Sequence, residues 1–195
     1  MATNAYKISV IPGDGIGTEV TRAAVDVLHA VAKKFGHTLE LSEGLLGGIA
    51  IHKTGTPFPK ETEELALKAD ATLMGAVGLP EFDTAPPLQR PEAGLLAIRR
   101  VLDVYANLRP VRTYPELVDS SPLKNHVVEG TDMLIVRELT AGLYYGEPRG
   151  ITTLPDGTKK GVDTQVYTTP EIERIARVAF ELARKRRNKV MSVEK

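Results

Sequence analysis

Three arginines, a tyrosine and a lysine hold most of the chemistry on offer in this sequence. Arg109 closes the run Tyr105–Leu108 and Arg137 closes Met133–Val136, so each is expected where a strand ends. In open α/β sheets, ligands settle beyond the carboxyl ends of strands. With Arg99 from a helical segment, these guanidinium groups could hold two carboxylates through paired N–H donors. Taken singly, each arginine fits an ordinary surface ion pair as well. Tyr144 and Lys195 are candidates for moving protons. Their reference pKa values of about 10 and about 10.4 mean that each needs nearby positive charge to act near neutrality. Glu92, Leu95, Leu96 and Arg99 recur at steps that share one helix face: a carboxylate, two aliphatic side chains and a guanidinium. Such a face suits a ligand with an acidic end and an apolar end. An amphipathic boundary, with Leu95, Ile98 and Leu102 as its core stripe, is the alternative. The histidines (His29, His37, His52 and His126) show no metal-ligand spacing.

Gly13-Asp-Gly-Ile-Gly17 follows the β-branched run Lys7–Ile11 and precedes a helical pattern with Val20, Ala24, Val27, Leu28, Val31 and Phe35 as its apolar positions. A glycine turn at a helix start can cradle an anion. The dinucleotide fingerprint Gly-x-Gly-x-x-Gly is not met, because its last position is Thr18. A tight strand-to-helix turn explains the glycines equally well, and a generic nucleotide-binding domain stays open on this motif alone. Gly36 stops the helix, and Thr38–Ser42 alternates like a strand. Glu61–Lys68 reads as a short helix with Leu65 and Leu67 apolar, and Ala71–Met74 as a strand. Leu79–Pro91, with four prolines, reads as a long loop of the kind that is often functional. Glu92–Val104 is then helical. Further on, Leu154-Pro-Asp-Gly-Thr158 reads as a hairpin tip. Thr169 is the expected N-cap of a helix with Pro170 at its first position and Ile172, Ile175, Ala179 and Leu182 on one face. That helix closes on Arg184–Arg187, a basic run suited to the negative helix end. Lys189–Lys195 reads as the start of another strand. The class is α/β.

Composition narrows the field. Lys and Arg total 25 against 25 Asp and Glu, so the balance lacks the basic surplus of a general nucleic-acid binder. There is no cysteine, which excludes disulfides and thiolate metal sites. No apolar run approaches the ~20 residues needed to span a bilayer, and the first residues lack a signal-peptide core. A cytoplasmic protein is expected.

The segments Ile11–Gly17, Gly94–Leu96, Asn107–Pro110, Val136–Leu139, Gly146–Gly150 and Ser192–Lys195 run in order along the chain. Together they resemble the β-decarboxylating dehydrogenases of the isocitrate/isopropylmalate dehydrogenase family, its isopropylmalate branch above all. The resemblance implies a two-domain α/β fold, not a Rossmann fold, with residues 1–104 in a first, NAD-side domain and 105–195 in a second, substrate and dimerisation domain. It implies NAD-dependent oxidative decarboxylation of 3-isopropylmalate in leucine biosynthesis, with Mg2+ or Mn2+, by a homodimer whose sites are shared between subunits. In that light Arg99, Arg109 and Arg137 look like the carboxylate grip, and Tyr144 like the acid that protonates the enol. Lys195 looks like the acceptor of the hydroxyl proton, and Glu92 like the residue beside the nicotinamide. Leu95 and Leu96 look like the pair that packs on the isopropyl group, an aliphatic lining that argues against isocitrate.

Gly78-Leu-Pro-Glu-Phe-Asp83 and Ala141-Gly142 depart from the family pattern, which leaves tartrate or methylmalate-type substrates open. The family's metal-binding aspartates and adenine-binding loop are expected past Lys195. A truncated fold, inactive by itself, is therefore expected; a non-catalytic binding or dimerisation module is the alternative.

Overall fold

The computed structural model describes residues 4–193, so Lys195, the last of the expected site residues, lies outside the described residues. The chain divides into two compact units that part between Asp103 and Val104.

In the first unit, β1 (Ala5–Gly13) is the middle strand of a parallel sheet, paired with β2 (Thr38–Glu43) on one side and β3 (Ala71–Ala76) on the other. Helix α1 (Ile16–Phe35) joins β1 to β2 and stops at Gly36, which takes the left-handed conformation expected of it. Helices α2 (Gly48–Thr54), α3 (Lys60–Lys68) and α4 (Pro91–Val101) follow. Ile11, Leu46, Ala66 and Ile98 form the buried core, with Phe58, Met74, Val77 and Leu102 packed against it. The proline-rich loop after β3 contains two short 3-10 turns, Pro80–Phe82 and Pro87–Gln89.

The inner face of α1 is not the expected stripe. Gly17, Thr21 and Ala32 are its buried residues and Ala24 and Leu28 are half-buried, whereas Val20, Val27, Val31 and Phe35 are exposed. The cause is a close approach of backbones. A Cβ on Gly17 would stand 2.3 Å from the Pro12 carbonyl oxygen, and one on Gly75 would stand 2.5 Å from the Thr21 hydroxyl. Only small side chains fit there, so the bulky ones turn outward. On α3, likewise, Thr62 and Ala66 point inward and Leu67 is exposed. The Thr62 hydroxyl donates to the Leu45 carbonyl and accepts from the Leu45 N–H, which takes the inward position for a polar tie.

Asp14 binds three parts of this unit together. Its buried carboxylate accepts from the N–H groups of Gly48 at 2.8 Å, Ile49 at 2.7 Å and Gly78 at 2.9 Å. The turn after β1, the start of α2 and the exit from β3 therefore share one anion.

The second unit is built on an antiparallel pair, β4 (Ala106–Arg112) and β5 (Asp132–Glu138). A 3-10 turn (Pro115–Ser120) and the short α5 (Asn125–Val128) connect them. The hairpin β6 (Gly150–Thr153) and β7 (Lys159–Val162) turns at Asp156-Gly157, with Gly157 at φ 83°, as the Asp-Gly pair requires. Helix α6 (Thr169–Arg184) begins one residue earlier than expected, capped by Thr168 with Glu171 in the reciprocal position. The Glu171 carboxylate accepts from the Thr168 N–H at 2.7 Å, and this closure moves the cap. Ile172 is exposed rather than on the inner face. Residues 189–193 form no strand. Among the described residues, no helix is long and apolar enough to cross a membrane.

Two outcomes follow from these ties. Asp14→Ala strands three donors and should lower the stability of the first unit by about 3 kcal/mol or more, read from urea unfolding. Hydrogen bonds from Thr168 hold the Glu171 carboxyl below its ordinary pKa. Its contribution to α6 is therefore fully present above the unfolded value of about 4.3 and is lost as pH falls through the lower folded value. Amide exchange in the first turn of α6 should quicken across that acid window and not between pH 6 and 8.

Candidate active site

The register of the antiparallel pair decides which side chains meet. Asn107 stands opposite Arg137 and Arg109 opposite Ile135, so Asn107, Arg109, Ile135 and Arg137 share one face. The strand-end expectation fails for Arg109, which lies in the middle of β4. Pairing with β5 carries the strand through Arg109-Pro110 and on to Arg112, past the point where the apolar run stops. The arginines still come together, as diagonal neighbours across the ladder rather than at two strand ends.

Arg109 directs its Nε onto the Asn107 side-chain oxygen at 2.5 Å, which leaves its terminal nitrogens for an anion. Arg137 donates to the Tyr144 hydroxyl, and its guanidinium carbon lies 5.5 Å from the centroid of that ring. With its oxygen accepting from Arg137, the phenol keeps its own hydrogen for a ligand. Two cations and a phenolic donor thus line one partly exposed face. That arrangement suits a carboxylate beside a carbon that must be protonated.

Tyr144 is delivered by a 3-10 turn, Gly142–Tyr144. The turn lies close against residues 164–167: a Cβ on Gly142 would be 2.4 Å from the Tyr167 hydroxyl, and one on Gly146 would be 1.9 Å from the Thr164 carbonyl oxygen. Arg149, from the Gly146–Gly150 motif, donates to the carbonyls of Gly146 and Leu143 and so fastens the turn from its far side. Neither Asn107 nor Glu138 stood out from the sequence. Their signal was there, because each sits inside a motif noted for its arginine.

In the first unit, α4 buries Pro91, Gly94 and Ile98. Glu92 is exposed in its first turn, and Leu95, Leu96 and Arg99 are half-buried. The expected alternative stripe differs at Leu95, which Gly94 displaces from the core. Gly94 is inward because its backbone meets Pro57: a Cβ there would stand 2.4 Å from the Pro57 carbonyl oxygen. The Glu92 carboxylate lies beside Gly78, 3.6 Å from where a Cβ would stand.

Among the described residues, no group of three or more His, Cys, Asp or Glu could hold a metal ion. The Gly13–Gly17 turn is not an open phosphate cradle either. A Cβ on Gly13 would meet the Ala76 carbonyl oxygen at 2.1 Å, and the Gly17 amide donates to the Asp14 carbonyl at 2.8 Å. Gly13 and Gly17 serve close packing, and Gly15, at φ 49° with open space around it, serves the turn itself.

Two solved structures with this architecture are dehydrogenases. Isocitrate dehydrogenase from Methylococcus capsulatus aligns with 94% of the chain and 49% of its own, at a TM-score of 0.71 and 30% identity. A beta-decarboxylating dehydrogenase from Thermococcus kodakarensis aligns over 92% of the chain and 46% of its own, at a TM-score of 0.61 and 32% identity. The family model for isocitrate/isopropylmalate dehydrogenase matches residues 7–195, and the chain belongs to that family. A 3-isopropylmalate dehydrogenase of Symbiobacterium thermophilum is 58% identical over 196 residues, covering 100% of the chain and 53% of the relative. One from Bacillus caldotenax is 57% identical over 97% of the chain and 51% of the relative. The chain thus spans about half the length of the curated relatives it matches.

The packing of the Tyr144 turn can be tested directly. Gly146→Ala should destabilise the second unit by about 1–3 kcal/mol in thermal or urea unfolding. Gly161→Ala, where a Cβ meets nothing within 4 Å, is the matched control and should leave the transition in place.

Proposed function

We propose that this chain supplies the carboxylate grip and the proton donor for the oxidative decarboxylation of 3-isopropylmalate to 4-methyl-2-oxopentanoate, in leucine biosynthesis. The overall reaction uses NAD as hydride acceptor and Mg2+ or Mn2+ to stabilise negative charge on the substrate oxygen. It belongs to a cytoplasmic homodimer with sites shared between subunits. The observation that carries the proposal is Arg137 donating to the Tyr144 hydroxyl on the sheet face that also holds Arg109. Identity of 58% with a 3-isopropylmalate dehydrogenase supports the choice of substrate.

On this reading Arg109 and Arg137 bind the malate carboxylates, joined by Arg99 from α4. Holding them orients the substrate and accounts for much of its ground-state binding. After CO2 leaves, Tyr144 passes its hydroxyl proton to the enol carbon, with Arg137 stabilising the oxygen left behind. Lys195 accepts the proton of the substrate hydroxyl. Leu95 and Leu96 pack on the isopropyl group, and Glu92 sits beside the nicotinamide. Residues 1–104 form the NAD-side domain and 105–195 the substrate domain.

The test is a chimera: residues 1–195 joined to the part of the Symbiobacterium thermophilum enzyme beyond the matched stretch. NADH formation is followed with 3-isopropylmalate, tartrate and methylmalate. The chimera should favour 3-isopropylmalate. Tyr144→Phe should lower kcat about 100-fold or more with KM little changed, whereas Arg109→Gln should mainly raise KM. Faster turnover of tartrate or methylmalate would overturn the substrate assignment, and an unchanged kcat in Tyr144→Phe would overturn the proton donor.

A further inference from the structure

Glu138 follows Arg137 in the chain, and the pleat turns it to the opposite face of the sheet. There its carboxylate accepts from the Thr140 N–H at 2.9 Å, the Thr140 hydroxyl at 2.8 Å and the Ala141 N–H at 2.8 Å. The fourth partner comes from far along the chain. Arg174 of α6 places its guanidinium 3.3 Å from Glu138 Oε1, donates to the Thr140 hydroxyl oxygen, and lies 4.4 Å from the centroid of the Tyr105 ring. The Arg174 and Glu138 side chains are only 27% and 10% exposed. For the surface pair Lys68–Glu64 the figures are 76% and 53%. An ion pair this sheltered is weakly screened, and removing one member leaves the other desolvated.

The place of this cluster gives it a consequence. Arg137 belongs to β5, but Tyr144 belongs to the turn beyond it, and residues 139–142 are the link between them. Glu138 holds the amides of that link, and Arg174 holds Glu138. Leu139 also extends the ladder, its N–H donating to the Tyr105 carbonyl at 2.9 Å, so the ring under Arg174 is part of the same frame.

We propose that Arg174 is a positioning residue: through Glu138 and Thr140 it sets the turn that places Tyr144 against Arg137. This rests on Tyr144 being the proton donor. Arg174 meets Glu138, Thr140 and the Tyr105 ring. Its effect is on where the phenol stands, so it should appear in the protonation step more than in carboxylate binding.

The test pairs a structural readout with a kinetic one. In the 195-residue chain carrying Arg174→Met, amide exchange at Thr140 and Ala141 should quicken roughly tenfold, the size of one charge-assisted hydrogen bond, with β1–β3 unaffected. In the chimera, the same change should lower kcat about tenfold or more while KM for 3-isopropylmalate stays within about threefold. Arg174→Lys, which keeps the charge without the planar face, should recover part of kcat and part of the protection. Unchanged exchange at Thr140 and Ala141, or an unchanged kcat, overturns the proposal. Should Arg174→Met unfold α6, Arg174→Lys decides: selective loss at Thr140 and Ala141 with a lower kcat supports it, and wild-type behaviour in both overturns it. A wild-type chimera with no turnover on 3-isopropylmalate defeats the functional assignment instead, and the exchange measurement then decides the positioning alone.

Discussion

Each unit of this protein is organised around a carboxylate folded back onto amides of its own chain. Taking such a group out of water costs several kcal/mol, and the cost must be met by donors already fixed in place. Asp14 meets it with three backbone N–H groups, drawn from the start of α2 and the exit of β3. Glu138 meets it with two backbone N–H groups, a hydroxyl and a guanidinium. A hydrogen bond to a charged group contributes about 1.5–3 kcal/mol net, and leaving any one of these donors unpaired costs about as much. In both places the consequence is the same. Loops that would otherwise be held only by their own turns are tied to one point.

That constraint also explains why a glycine-rich turn can be present without being a phosphate cradle. Helix starts attract anions; at α1 the Gly17 amide is already bonded to the Asp14 carbonyl, and at α2 the anion is the Asp14 carboxylate. Next to it, the backbones of β1, α1 and β3 come closer than a Cβ would permit, at Gly13, Gly17 and Gly75. Tight contact selects small residues for the inner face of α1 and sends Val20, Val27 and Val31 to the outside. Apolar periodicity in the sequence marked that helix correctly and placed Ala24 and Leu28 toward the sheet, but not Val20, Val27, Val31 or Phe35. Size, not hydrophobicity, decided which side faces the sheet.

What could be read from the sequence was local. Gly36 ending α1, the Asp156-Gly157 hairpin tip and the strand–helix–strand beginning all follow from short-range rules of backbone conformation and spacing. The misplaced features depend on which partner a residue finds, whether near or far along the chain. Arg109 was expected at a strand end because the apolar run stops at Leu108, but pairing with β5 carries the strand on to Arg112. Thr169 was expected to cap α6, and the reciprocal bond between Thr168 and Glu171 moved the cap by one residue. Asn107 and Glu138 lay unremarked inside motifs noted for their arginines. Nothing in residue type alone tells which neighbour of an arginine will support it.

The juxtaposition of Arg137 and Glu138 shows why the pairing register matters so much to the site. Successive residues of a strand point to opposite faces, so one side chain can meet Tyr144 while the next meets Arg174. A slip of one residue would exchange them, putting the carboxylate beside Arg109 and the guanidinium beneath α6. The ligand-facing side would then lose a cation and gain an anion, which inverts its preference for carboxylates. Several contacts oppose that slip: Asn107 opposite Arg137, Leu139 donating to Tyr105, and the Glu138–Arg174 pair on the far face. The bond that holds the turn is thus also one that holds the register. Support and recognition are divided between the two faces of a single strand.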